Sequence, residues 1–97
     1  MSKYKQYFKK MMDENRKLFD DFGEVHLRYM QNPKAVQAEF NSKGEKVMEV
    51  VRKYENELCS ATEGSGYGKY SANLADKFHE IIKMNFPRID SIGLRWE

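Results

Sequence analysis

The sequence predicts an all-α protein: an antiparallel helical hairpin of two long helices, a shorter third helix and an extended tail. Two observations carry this prediction. Apolar residues recur every three or four positions through most of the chain, which is the period of a helix that buries one face. The pair Asn32-Pro33 then interrupts this period, because proline disfavours helical backbone at the preceding residue. The expected architecture is a three-helix bundle that can pair with a second copy.

The first helix is expected over residues 3–31. Its apolar stripe alternates spacings of four and three and contains one polar position. The stripe is wider than the two-in-seven seam of a coiled coil, and it places aromatic residues where a two-stranded coiled coil prefers Val or Ile. A core-facing helix of a globular bundle fits this pattern better. The members of the stripe are Tyr4, Phe8, Met11, Asn15, Leu18, Phe22, Val25 and Tyr29.

The second helix is expected over residues 33–59, with Asn32 as its cap and Pro33 at its first position. Because the connection is so short, the two long helices must be neighbours in space. An isolated glycine weakens a helix, so bends are expected at Gly23 and Gly44. Gly44 lies in the apolar stripe, where we expect an aromatic residue of the first helix to approach closely. The stripe contains Val36, Phe40, Gly44, Val47, Val51, Tyr54 and Leu58.

A glycine-rich loop over residues 62–70 separates the second helix from the third, which is expected over residues 71–86. Ser71 can cap the third helix, and Pro87 stops it. Residues 87–97 form the predicted tail. Its apolar residues alternate with polar ones, which is the period of a strand. A single strand cannot form a sheet, so the tail is expected to pack across the bundle or to pair with a second copy. The alternating residues are Ile92, Leu94 and Trp96.

Composition restricts the function classes. With 97 residues, of which 40% are hydrophobic and 33% charged, residues 1–97 are expected to form one soluble domain. A net charge of +2 is too small and too dispersed to indicate nucleic acid. No apolar run approaches the roughly 18 residues of a membrane span. Cys59 is the only cysteine, which excludes an intramolecular disulfide and suits a reducing compartment, so the cytoplasm is expected.

The glycine-rich loop is the candidate site, for a small anion or a nucleotide. Helix starts carry unpaired N–H groups that favour anions, and a lysine adjoins this one. The loop lacks the glycine, lysine and Ser or Thr pattern of a phosphate-binding loop, since Glu63 and Tyr70 occupy two of its positions. A tight turn without a ligand is the interpretation that the sequence favours, and anion binding is the alternative. The candidate residues are Gly64, Gly66, Gly68, Lys69 and Ser71.

Other chemistry has less support. Asp76 and His79 are spaced three apart on the third helix, but a carboxylate-bridged metal pair requires two such motifs and further glutamates. Cys59 lies beside the buried stripe, where a thiol is normally inert. No catalytic residue, metal or cofactor is therefore predicted. The sequence favours a small binding or assembly protein whose partner is itself, as a homodimer, or another protein. The alternatives are an anion or nucleotide binder through residues 64–71, and an enzyme whose site forms between subunits.

Overall fold

The computed structural model describes residues 3–63 and 68–94, with the side chains of residues 61–72 excepted. Within this part of the chain there are four α-helices, one 3₁₀ turn and no strand. The all-α prediction is therefore confirmed. The elements are α1 (Lys3–Glu14), α2 (Arg16–Gln31), α3 (Pro33–Glu63), α4 (Gly68–Asn85) and the 3₁₀ turn Ile89–Ser91.

The expected single helix over residues 3–31 is divided at Asn15. The backbone of this residue leaves helical geometry, with φ −126° and ψ 35°. Its side chain donates from Nδ2 to the carbonyl of Met11 at 3.0 Å. Asparagine competes with a helix in this way, because its amide offers nearby backbone groups another partner. The interruption thus lies at the polar position of the stripe, while α2 runs unbroken through Gly23.

The third helix of the structure, α3, continues through Gly44 and ends at Glu63, beyond the predicted end at residue 59. Its 31 residues span about 46 Å at the helical rise, so this one helix sets the 47 Å long dimension of the molecule. Most of the predicted stripe is buried, and its buried apolar members are Phe40, Val47, Val51, Tyr54 and Leu58.

The close approach at Gly44 involves a different partner from the one predicted. A Cβ atom on Gly44 would lie 2.6 Å from Cγ1 of Ile92, closer than real contacts allow. The nearest neighbour is therefore an aliphatic residue from the far end of the chain, and not the aromatic residue of the first helix that the sequence predicts. The missing side chain makes room for the segment that follows α4.

The last helix, α4, begins at Gly68 instead of residue 71 and ends at Asn85, close to the expected end. We call the segment after it, residues 86–94, the strap. The prediction of an extended, strand-like conformation is wrong for the strap, which forms turns and the 3₁₀ turn, but the strap does pack on the bundle as expected. Ile89 and Ile92 are three apart, which is the 3₁₀ period, and both pack on the core. Residues 95–97, and with them Trp96, lie outside the described residues.

The core is centred on a cluster of aromatic rings contributed by α2, α3 and the strap. Phe22 is fully buried, with its ring centroid 5.4 Å from Phe40 and 5.2 Å from Phe86. The ring of Tyr29 stacks on Phe40 at 4.0 Å. Such pairs add to the free energy of burial, and they hold the strap against the two helices.

Candidate functional site

The predicted anion site falls largely outside the described residues. Gly64 and Gly66 lie there entirely, while Gly68, Lys69 and Ser71 belong to the first turn of α4 without described side chains. The anion site therefore stays a prediction. Its signature would be a melting temperature that rises with millimolar phosphate in the wild type and not in Lys69→Ala.

Asp76 and His79, which are spaced for a shared ligand, both line a cleft between α3 and α4. His79 is already engaged, because its Nε2 lies 2.7 Å from Oε2 of Glu55 on α3. In residues 3–63 and 68–94, no group of three His, Cys, Asp or Glu side chains could hold a metal ion. The contact between His79 and Glu55 joins α4 to α3.

The cleft containing these residues lies between α3, α4 and the 3₁₀ turn and has a volume of about 440 Å³. Its apolar lining includes Met48 and Ile89, and its charged lining includes an ion pair between Lys83 Nζ and Asp90 Oδ2 at 2.8 Å. Both groups of that pair are largely exposed, so it contributes little to stability. The cleft is a groove with an apolar base and a mixed-charge edge.

A second depression, of about 250 Å³, lies on the other flank of α4 beside α1. Met84 forms part of it and is 81% exposed, the largest exposure among the described large apolar residues. The ammonium group of Lys77 lies 5.9 Å from the centroid of the Tyr4 ring, a cation–π contact between α4 and α1. Glu80 lines both depressions, so α4 forms a ridge between two grooves. We call this ridge the outward face of α4, formed by Lys77, Glu80, Ile81, Lys83 and Met84.

A chain of amide hydrogen bonds joins α2, α3 and the strap. The hydroxyl of Tyr29 donates to Oε1 of Gln37 at 2.8 Å, and Nε2 of Gln37 donates to Oδ1 of Asn41 at 2.7 Å. Sequence reasoning missed both amides, since polar helical residues are usually solvated. A signal was present: Gln37, Asn41 and Gly44 follow each other at helical spacing, so they share one face beside the apolar stripe.

His26 is a buried titratable group at the base of the strap. Its Nε2 accepts the backbone N–H of Arg88 at 3.1 Å, which requires Nε2 to be unprotonated. Burial, and secondarily the positive charge of Arg88, lower the pKa of His26 below its usual value. The imidazole is therefore neutral, and it serves as a hydrogen-bond acceptor within the aromatic cluster.

Two further contacts link the helices. Arg28 donates two hydrogen bonds to Glu39, both at 2.9 Å, and these bonds lower the pKa of the Glu39 carboxyl. Tyr54 of α3 donates to the carboxylate of Glu14, and Nδ2 of Asn15 donates to the Tyr54 oxygen at 3.4 Å. Burial, followed by the bond to Glu14, raises the pKa of Tyr54. These contacts fix α2 and the end of α1 against α3.

Comparison with known proteins yields no relative. No protein-family model matches the chain, and neither a curated protein nor a solved structure shows significant similarity to it. A search of the described helices finds none with the length and apolar character that crossing a membrane requires.

Proposed function

We propose that the chain is a small helical binding and assembly protein, without catalysis, that forms a homodimer through the outward face of α4. The observation that carries the proposal is the 81% exposure of Met84 on a ridge flanked by two grooves. Met84 and the half-buried Ile81 beside it offer apolar surface that association can bury. A ridge between grooves also suits helix packing, in which the ridges of one helix enter the grooves of another.

The charges of this face favour a second copy as the partner. Lys77, Glu80 and Lys83 alternate in sign at intervals of three residues along the ridge. In a twofold arrangement each surface meets its own copy, so a mixed-charge patch can be self-complementary. Antiparallel pairing of two α4 helices brings Glu80 of one copy toward Lys77 or Lys83 of the other.

We propose further that α2 and α3 form an antiparallel hairpin, which α4 completes as a bundle. The stacked rings of Tyr29 and Phe40 and the Arg28–Glu39 pair support this arrangement, since each joins residues on either side of Pro33. We place the protein in the cytoplasm on the chemistry of its single cysteine, Cys59.

The experiment is a comparison of Met84→Asp with the wild type by light scattering and sedimentation. We expect the wild type to have twice the mass of one chain and Met84→Asp to have the mass of one chain, because a buried unpaired carboxylate opposes association. Leu27→Asp is the matched control. Leu27 is a 62% exposed apolar residue on α2, so this variant should remain a dimer.

Exchanging the signs of the charges on the outward face of α4 tests the antiparallel geometry of the dimer. Glu80→Lys should weaken the dimer, and adding Lys77→Glu and Lys83→Glu should restore it, because the pattern of opposite signs returns. A wild type with the mass of a single chain contradicts the proposal. So does a Met84→Asp variant that associates as well as the wild type.

A further inference from the structure

The strap is held on α3 by hydrogen bonds to its backbone. Oδ1 of Asn41 accepts the N–H of Gly93 at 2.7 Å, and Nδ2 of Asn41 donates to the carbonyl of Leu94 at 3.1 Å. Nε2 of Gln37 donates to the carbonyl of Ser91 at 3.1 Å. These three bonds use no side chain of the strap, so any segment presenting the same backbone groups in the same geometry can make them.

The α3 side of this contact is organised by groups outside the strap. Gln37 is only 6% exposed, and the Tyr29 hydroxyl and Oδ1 of Asn41 orient its amide at 2.8 and 2.7 Å. A site held in its binding geometry by its own neighbours loses little conformational freedom when it is filled. Gln37 and Asn41 therefore form a prepared amide site.

Two glycines determine which side chains fit. Gly44 leaves the space that Ile92 occupies, since a Cβ there would lie 2.6 Å from the Ile92 side chain. Gly93 has a φ of +92°, a conformation that residues with side chains rarely adopt. The segment recognised by this site is thus a branched aliphatic residue followed by glycine.

We propose that the face of α3 formed by Gln37, Asn41 and Gly44 is a peptide-recognition site, and that a second copy of this chain can fill it with its own strap. The inference rests on the self-association proposed above and names a second point of contact between copies. Exchange of straps between two copies preserves every hydrogen bond described for the strap. Its free-energy cost is therefore that of bringing two chains together. Pro87, exposed at the start of the strap, is the expected hinge.

The test uses two full-length variants that are defective in complementary ways. Gly44→Leu closes the space on α3 but keeps an intact strap, whereas Ile92→Asp spoils the strap but keeps an intact site. Gly44→Leu is labelled with ¹⁵N and mixed with unlabelled Ile92→Asp, and amide hydrogen exchange at Gly93 is followed by NMR. We expect exchange at least about tenfold slower in the mixture than in the labelled variant alone, since the labelled chain no longer has space for Ile92 on its own α3, whereas the other chain does.

A second labelled variant, Asn41→Ala, covers the case in which Gly44→Leu fails to fold. Its own chain lacks the acceptor for the Gly93 N–H, so slowed exchange in the mixture must come from the Asn41 of the unlabelled chain. Adding Asn41→Ala to the unlabelled chain should remove the protection. Protection that survives this control would overturn the assignment of the site.

The outcomes separate the two proposals. A wild-type dimer that Met84→Asp dissociates, with no slowing at Gly93 in either mixture, overturns strap exchange and leaves the α4 dimer standing. A wild type with the mass of one chain and no slowing at Gly93 overturns both. Slowing at Gly93 in a mixture whose chains also carry Met84→Asp supports strap exchange and shows that it proceeds without the α4 contact.

Discussion

The junction of α2, α3 and the strap uses its side chains differently from the outward face of α4. At the junction, fully buried rings such as Phe22 and Phe40 surround a neutral imidazole, His26, whose Nε2 accepts a backbone N–H. On α4, Met84 is 81% exposed and the neighbouring charges are solvated. The junction therefore determines one folded arrangement, whereas the α4 face retains surface that association can bury. Substitutions at the junction should therefore change mainly the free energy of unfolding, and substitutions on the α4 face should change mainly dimer formation.

The largest effect is expected from Phe22→Ala. Phe22 is fully buried and its ring contacts those of Phe40, Phe86 and His26, so truncation leaves a cavity that the surrounding rings cannot fill. The free energy of unfolding should fall by about 3–5 kcal/mol. Leu27→Ala is the control and should change it by about half a kcal/mol or less, because Leu27 is 62% exposed and lies outside the proposed dimer face. Urea denaturation of both variants measures the difference, and equal losses would contradict this division of the molecule.

The second effect compares two helical glycines. Gly44→Leu forces a side chain into the space of Ile92 and should cost about 1–3 kcal/mol. At Gly23 a Cβ has only one neighbour, Cε1 of Phe86 at 4.0 Å, which is an ordinary contact. Gly23→Ala should therefore stabilise the protein by about 0.4–1 kcal/mol. The denaturation midpoints of the two variants should move in opposite directions, and an unchanged midpoint for Gly44→Leu would refute the tight contact.

The smallest effect concerns pH. Because the pKa of His26 is lowered in the folded chain, the unfolded chain binds a proton first as the pH falls below the ordinary value of 6.5. Stability is therefore fully present above pH 6.5 and is lost as the pH falls toward the folded pKa. One such group changes the free energy of unfolding by at most about 1.4 kcal/mol per pH unit.

The measurement is the denaturation midpoint between pH 7.5 and 5.5, a window above the ordinary pKa of about 4.5 for carboxyl groups such as Glu39. His26→Gln keeps an acceptor for the Arg88 N–H but does not titrate, so its midpoint should depend less on pH. A wild-type midpoint that does not fall with acid contradicts the role assigned to His26.

The repeated apolar spacing was enough to predict the long helices, because burial of one face dominates such segments. The break at Pro33 was also predictable, since proline acts locally. Asn15 was not identified as a break, because one polar residue in a stripe gives the same sequence pattern whether or not its side chain bonds the backbone of the preceding turn. The strap was misread because Ile92 and Leu94 fit the strand period, while the spacing from Ile89 to Ile92 fits a 3₁₀ turn.

The site was less predictable than the fold. The anion site was predicted in residues 62–70 because glycines and a lysine stand out in a sequence, whereas Gln37 and Asn41 resemble ordinary helix surface. Their role depends on a segment more than fifty residues away along the chain, as the bond from Asn41 to Leu94 shows. Local sequence patterns cannot report such a pairing. The exposure of Met84 depends in the same way on how far its neighbours cover α4.

The division at Asn15 has a consequence for motion. Met11 is the only fully buried residue of α1, whereas α2 buries five, so α1 is the helix whose local opening should require the least free energy. Yet α1 supplies Tyr4 to the depression beside Met84. A second copy bound at that face would hold α1 closed, and detachment of α1 would in turn weaken the dimer. Dimer formation and the local opening of α1 are then thermodynamically linked, so the lifetime of the dimer would depend on how often α1 detaches from the rest of the chain.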